Sequence, residues 1–291
     1  IHHCNISTGD DAICLKSTRG TANENIHVHD CKISSRWGCF KMGTSSRAGF
    51  KNIVVENCEF YDCQGVAIKL ICVDGGILDG ITISNIKMQN VTGPFFIRLG
   101  GRYRSFEKAN EMAYDKHESE GEGNSILRNV KISNIQAEVV TEDLLVSNIM
   151  ISGYPNHYIE NISLENITIE YPGEGTKKHA EITVPENVAT YPEMSFFGML
   201  PSSAMYLRHV KNIDIKNCKI SFRSKDKRAV VVADDVKGLT VNDLNLEGID
   251  RVDKIFSFQN SQNIKIKNFQ CTLRYKQLFA KDEYCEKIKV E

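Results

Sequence analysis

Apolar and polar residues alternate along most of the chain. They form short phrases that run polar, β-branched, polar, β-branched, polar, then Asn or Asp, then Cys, Ile or another apolar residue. The phrase reads Asn25-Ile26-His27-Val28-His29-Asp30-Cys31, then Asn52-Ile53-Val54-Val55-Glu56-Asn57-Cys58, then Gly80-Ile81-Thr82-Ile83-Ser84-Asn85-Ile86. It returns at Asn129, Asn161, Asn212, Gly238 and Asn263, so the steps between copies are 27, 28, 49, 32, 51, 26 and 25 residues. A two-residue period is that of a strand buried on one face. A unit of about 27 residues that holds several short strands is one turn of a solenoid, and about eleven turns at the ~4.8 Å strand spacing would stack to roughly 50 Å. The expected fold is therefore all-β: a right-handed parallel β-helix forming one domain over residues 1–291.

The two long steps predict insertions. The stretch 100–123 carries Glu107, Lys108, Glu111, Asp115, Lys116, Glu118, Glu120 and Glu122, too much charge for an interior turn. The stretch 171–205 holds Pro172, Pro185, Pro192 and Pro201. Long insertions in a rigid scaffold commonly wall or cover a site.

Ten cysteines in 291 residues raise the question of disulfides or a metal. The repeat answers it more simply. Cys4, Cys31 and Cys58 stand 27 residues apart, Ile86 takes the same place in the next copy, and Cys218 takes it later. A position shared by Cys and Ile is an interior stack of small hydrophobes. Mostly reduced core cysteines are expected, with Cys72, Cys271 and Cys285 as the exceptions to watch, and neither metal nor cofactor is called for. There is no Cys-x-x-Cys pair to argue otherwise.

A net charge of −1 excludes recognition of nucleic acid by phosphate neutralisation. No run approaches the ~18 apolar residues of a membrane-spanning helix. The chain opens on Ile1-His2-His3-Cys4, without Met, basic region or apolar leader, which reads as a fragment or a processed form.

Chemistry concentrates in the first hundred residues. One segment is Ser7-Thr8-Gly9-Asp10-Asp11-Ala12-Ile13-Cys14-Leu15-Lys16-Ser17, and the next is Ser35-Arg36-Trp37-Gly38-Cys39-Phe40-Lys41-Met42-Gly43. Then come Gly65-Val66-Ala67-Ile68-Lys69-Leu70 and Phe96-Ile97-Arg98-Leu99. If Ile13/Leu15, Phe40/Met42, Val66/Ile68 and Ile97/Leu99 face inward, Lys16, Lys41, Lys69 and Arg98 face outward on neighbouring turns. Paired carboxylates at a Gly turn beside a column of cations suit hydrolysis of an acidic sugar chain, with one carboxyl protonating a leaving oxygen and another activating water. Asp10 and Asp11 are the candidate catalytic pair. Lys69, Lys41 and Arg98 are candidate ligands for substrate carboxylates, and Trp37 is a candidate platform for a sugar ring. Arg102, Tyr103 and Arg104 open the first insertion and are candidates for the cleft wall. Asp234-Asp235 lacks such surroundings and reads as a solvated turn. Asn5, Asn90, Asn161 and Asn166 match the glycosylation pattern, but they fall in the repeat phrase.

These segments resemble the polygalacturonase-like glycoside hydrolases of family 28, which are right-handed β-helices. Ser7 to Ser17 is similar to the family's Gly-Asp-Asp-Cys-Ile-Ala-Ile-Lys/Asn-Ser segment, and Gly65 to Leu70 to its Gly-Val-Arg-Ile-Lys-Thr segment. The likeness is specific over residues 1 to about 100. It implies inverting, single-displacement hydrolysis of a pectin-type polysaccharide, galacturonan or rhamnogalacturonan, with Asp10 as general acid and Asp11 among the carboxylates that activate water. It further implies a secreted or periplasmic monomer whose partner is a polysaccharide or oligosaccharide substrate, exo-acting if the 100–123 insertion closes one end of the cleft. The family's upstream Asn-Thr-Asp would precede Ile1. Its Gly-His-Gly turn reads Trp37-Gly38-Cys39 here, closer to the rhamnogalacturonan-hydrolase branch, and the Arg of Arg-Ile-Lys is Ala67. The alternatives are a carbohydrate-binding β-helix without turnover, which the replaced His and Arg suggest, and a pectate lyase on the same scaffold, which would need bound Ca²⁺.

Overall fold

The computed structural model describes residues 1–104, 123–140, 144–248 and 251–291. Most of the charged stretch predicted as the first insertion therefore lies outside the described residues. Within them, seventeen strands pair into one sheet, and helical structure is confined to two short 3₁₀ turns, His179–Glu181 and Met194–Phe197. Every pairing between named strands is parallel, and each joins a segment to its counterpart in the next copy of the repeat. Thus Phe50–Cys72 lies along Ile77–Leu99, which lies along Ile126–Val139.

The register follows the repeat phrase. Ile26, Ile53, Ile81, Val130, Ile162, Ile213, Leu239, Ile264 and Ile288 are successive partners in one column. The cysteine position behaves as expected, since Cys58, Ile86, Ile135, Ile167, Cys218 and Leu244 are likewise successive partners. All six are buried, and all ten cysteines of the chain are free thiols. One apolar core runs from Ile13 to Cys285, built from these columns. Each buried Ile or Val contributes roughly 1.5–3 kcal/mol by leaving water.

The structure also explains the polar half of the phrase. Its first residue has a left-handed backbone in every copy: Asn25 (φ 56°), Asn52 (54°), Gly80 (73°), Asn129 (57°), Asn161 (59°), Asn212 (57°), Gly238 (87°) and Asn263 (57°). Its sixth residue does the same at Asp30, Asn57, Asn85, Asn134, Asn166, Asn217, Asp243 and Asn268. Asn, Asp and Gly tolerate this conformation at least cost. The Asn side chains then bond to one another from turn to turn: Asn85 to Asn57 (2.9 Å), Asn134 to Asn85 (2.9 Å), Asn166 to Asn134 (2.9 Å) and Asn217 to Asn166 (2.7 Å). Asn161 and Asn166, which match the glycosylation pattern, are rungs of such ladders.

Between Tyr171 and Ser202 the chain leaves the sheet and lies back over it. A second apolar cluster holds it down, in which Val184, Met194, Phe197 and Leu200 pack on Val66, Ile71, Val73, Phe96, Met150 and Tyr206. Asp234-Asp235 is not the solvated turn that its bare sequence suggests. Asp234 accepts from Arg208 Nε at 2.8 Å, and buried Asp235 bonds His209 Nδ1 at 2.8 Å. The excursion supplies Glu186 on the far side of that histidine, 3.2 Å from its Nε2.

Replacing Asn134 by Ala removes two ladder bonds and leaves at a left-handed position a residue that tolerates it less well than Asn, an expected loss of roughly 2 kcal/mol or more in urea unfolding. Asn134→Gly relieves the backbone cost and should lose measurably less.

Candidate active site

The Asp10-Asp11 turn precedes the strand Ile13–Ser17 and is tied to the next copy of the repeat. Ala12 donates its amide to Gly38 O at 2.8 Å, and Ile13 donates to Cys39 O at 3.1 Å. Ser35 fastens the two turns together. Its hydroxyl donates to Asp10 O at 2.8 Å and accepts from the amides of Trp37 (2.9 Å) and Gly38 (3.0 Å). Gly38 is required by close approach. A Cβ there would stand 2.9 Å from Asp11 Oδ1 and 3.1 Å from Val66 O.

Lys41 and Lys69 are in-register partners on adjacent strands. Alternation does point them away from the apolar core, but neither is solvated, because the excursion covers them. Lys41 Nζ is 2.7 Å from Asp11 Oδ2 and 3.5 Å from Glu193 Oε1. Lys69 Nζ is 3.0 Å from Glu193 Oε2 and 3.6 Å from Asp11 Oδ1, and also lies over the Trp37 ring at 5.1 Å. The four side chains are between 1% and 11% exposed, so they form a nearly dry quartet of two ammoniums and two carboxylates. Burial works to lower the Lys41 pKa, but Glu193, Tyr191 and Asp11 outweigh it, and the pKa stands above its ordinary 10.5. A raised amine pKa contributes stability that is complete below about 10.5 and is lost only at higher pH. Lys41 thus keeps its charge throughout the range where carboxylates titrate.

The two aspartates have different surroundings. Asp11 is wedged between ammoniums, and its Oδ1 is shielded yet has no hydrogen-bond partner. Asp10 is exposed and receives at its carboxylate the amide of Asp11 at 2.7 Å, with no cation beside it among the described residues. Both line a cavity of about 660 Å³, together with Trp37, Lys41, Asp74, Tyr191, Glu193 and Phe196. That volume lies within the ordinary range for ligand sites. Arg102 and Arg104 also reach this wall. Arg102 forms a two-pronged bond to Asp74 (2.9 and 2.6 Å), whereas Tyr103 turns aside to bond Tyr154.

Arg98 is a correction. The column of four cations assumed that residues 28 or 29 apart align, but Lys69 pairs with Phe96, and Arg98 pairs with Ile71. The side chain is fully buried under Phe197 rather than in the cleft, and its guanidinium donates to Ser152 Oγ (3.0 Å), Gly153 O (2.6 Å), Glu186 O (2.8 Å) and Asn187 O (2.9 Å). It clamps the excursion to the coil. Lys16, from the same column, is exposed and out of register with Lys41, although it lines the cavity.

Glu193, Tyr191, Asp74, Arg47 and Ser35 belong to the site but were not among the residues singled out from the sequence. Glu193 is set by its neighbours Met194 and Phe197, whose burial fixes the 3₁₀ turn that it precedes. Its only local signal was the run Tyr191-Pro192-Glu193-Met194-Ser195-Phe196-Phe197, aromatic for a loop. Among the described residues, the group with metal-ligand spacing is His3, His29 and Asp30, whose ligand atoms lie within 4.8 Å of one another. None of the three lines the cleft.

Comparison with known proteins matches residues 1–190 to glycosyl hydrolases family 28. An endo-polygalacturonase of Pectobacterium carotovorum subsp. carotovorum is 31% identical over 99 residues, which are 33% of this chain and 24% of that protein. This chain thus spans about a quarter of that relative's length. A solved structure of a candidate glycosyl hydrolase from Parabacteroides merdae covers 58% of this chain and 77% of its own at 10% identity, with a TM-score of 0.24, too low to bear on the fold.

Two substitutions test how the aspartates are held. Ser35→Ala strands two amides and frees the Asp10 turn, and should cost about 1–3 kcal/mol in denaturant unfolding. Gly38→Ala should leave overall stability closer to that of the unaltered chain. It should nevertheless displace Asp11, visible as a lowered kcat on any substrate the chain turns over.

Proposed function

Because the chain belongs to glycosyl hydrolases family 28, we propose that it hydrolyses a pectin-type, uronate-containing polysaccharide by inverting acid/base catalysis on a right-handed β-helix spanning residues 1–291. The continuous parallel register from Asn5 to Val290 supports that scaffold. The observation that carries the chemistry is the unlike pair at the Asp10-Asp11 turn. Asp10, exposed and without a cation, is the proton donor to the leaving oxygen. Asp11, which lines the same cavity, is the carboxylate that takes a proton from the attacking water. Lys41 and Lys69 hold that carboxylate in place. Trp37, 47% exposed at the cleft edge, offers a face to a sugar ring. A polymer of this kind is met outside the cytoplasm, so the proposed compartment is the periplasm or the exterior.

In the reaction, water adds to the anomeric carbon as the bond to the leaving oxygen breaks. The proton lost from water passes to Asp11, and the one gained by the leaving oxygen comes from Asp10.

Release of new reducing ends from a panel of pectic oligosaccharides tests the reading. Product is expected from uronate-containing members, and Asp10→Asn and Asp11→Asn should each lower kcat by about 10²–10⁴-fold, with little change in fold for exposed Asp10 and a loss of stability for Asp11, which balances two buried ammoniums. Undiminished activity in Asp10→Asn would remove the assignment. Tight binding with no product in the unaltered chain would favour a carbohydrate-binding role. Because Lys41 stays protonated, neither limb of the pH–rate profile below pH 10 should move in Lys41→Arg.

A further inference from the structure

The two lysines that the register places beside Asp11 are already matched, charge for charge. Glu193 holds Lys69 with both oxygens (3.0 and 3.2 Å) and reaches Lys41 at 3.5 Å, and Asp11 takes the remaining side of each ammonium. Lys69 is 1% exposed and does not line the cavity at all. A uronate carboxylate arriving here would meet a closed set of two cations and two anions, and would have to displace Glu193 or add a third negative charge to a nearly dry site. The other end of the same cavity is unlike this one. Arg47, Arg104 and Lys16 line it without a carboxylate partner among the described residues. Arg104 Nε and Nη2 are shielded and have no hydrogen-bond partner. Arg102 is taken by Asp74, and Arg47 is steered toward Arg104 by a bond to its carbonyl oxygen.

We propose that Glu193 stands in for a substrate carboxylate on Lys41 and Lys69, so that the sugar seated beside Asp11 is a neutral one and the acidic sugar of the substrate is held by Arg47 and Arg104. Glu193 is then a specificity-determining residue, supplied by the excursion and not by the coil that carries the aspartates. The substrate class is a chain in which neutral and acidic sugars are neighbours, rather than an unbroken run of uronates. The inference rests on the hydrolase reading above, which it sharpens by ordering the sugars along the cleft.

Binding can be measured apart from turnover by calorimetry on the full chain carrying Asp10→Asn. The ligands are an oligogalacturonate and an oligosaccharide of alternating neutral and uronic sugars of equal length. The alternating ligand should bind at least tenfold tighter. Adding Glu193→Gln should narrow or reverse that preference by about tenfold through tighter oligogalacturonate binding. Adding Arg104→Ala should weaken the alternating ligand by about tenfold while leaving a neutral oligosaccharide unaffected. Equal affinity for the two ligands in the Asp10→Asn chain overturns the proposal without any change at Glu193, which covers the case of a Glu193 variant that does not fold. A Glu193→Gln chain that folds but loses both ligands alike overturns it too. If no oligosaccharide yields product in the unaltered chain, the hydrolase reading fails while the order of binding still stands or falls on its own.

Discussion

In a parallel stack a side chain meets its own counterpart from the neighbouring turn, about 4.8 Å away. That constraint governs this protein more than any single contact. Apolar positions gain from it without further provision, and the column from Ile26 to Ile288 is such a run. Polar positions gain only if the residue is both donor and acceptor. Asn meets that condition, since its amide donates to the preceding copy while its carbonyl accepts from the following one, and it tolerates the left-handed corner. Gly80 and Gly238 keep the corner and give up the bond. The composition of the repeat phrase is thus the solution of two conditions, corner geometry and self-pairing.

Charged positions do not satisfy the constraint by themselves. Lys41 beside Lys69 sets like charges against each other and burial against both. The coil supplies one anion, Asp11, from a turn that Ser35 and Gly38 hold in place. The second anion comes from more than a hundred residues away. The clamp that delivers it is itself built on the register, because Arg98 and Arg208, the register partners on either side of Ser152, both donate to the carbonyls of residues 184–187. Removing either arginine would loosen a loop that is far from the aspartates in sequence and adjacent to them in space.

Much of this was legible before any coordinates. The period, the cysteine stack, the second excursion and the neighbourhood of Asp10, Asp11, Lys41 and Lys69 all follow from residues that repeat or alternate. The errors arose where the period is irregular. Arg98 was assigned by a spacing of 29 residues, whereas the bulge before Val66 sets the true spacing from Lys69 at 27. Asp234-Asp235 lacked any local sign that Arg208 and His209, one coil earlier, would claim it. Glu193 was illegible for a related reason. A loop without periodicity carries no information about where it lands, and its position is decided by Met194 and Phe197 finding the apolar surface around Phe96 and Ile71.

The consequence is a division of labour between two kinds of sequence. The repeat holds the Asp10-Asp11 turn through the in-register bonds of Ala12, Ile13 and Ser35. The excursion needs an apolar foothold and two arginine clamps, and the carboxylate that it presents at position 193 completes the charge balance around Lys41, Lys69 and Asp11. The two carboxylates around Lys41 and Lys69 thus come from the two kinds of sequence, Asp11 from the repeat and Glu193 from its interruption.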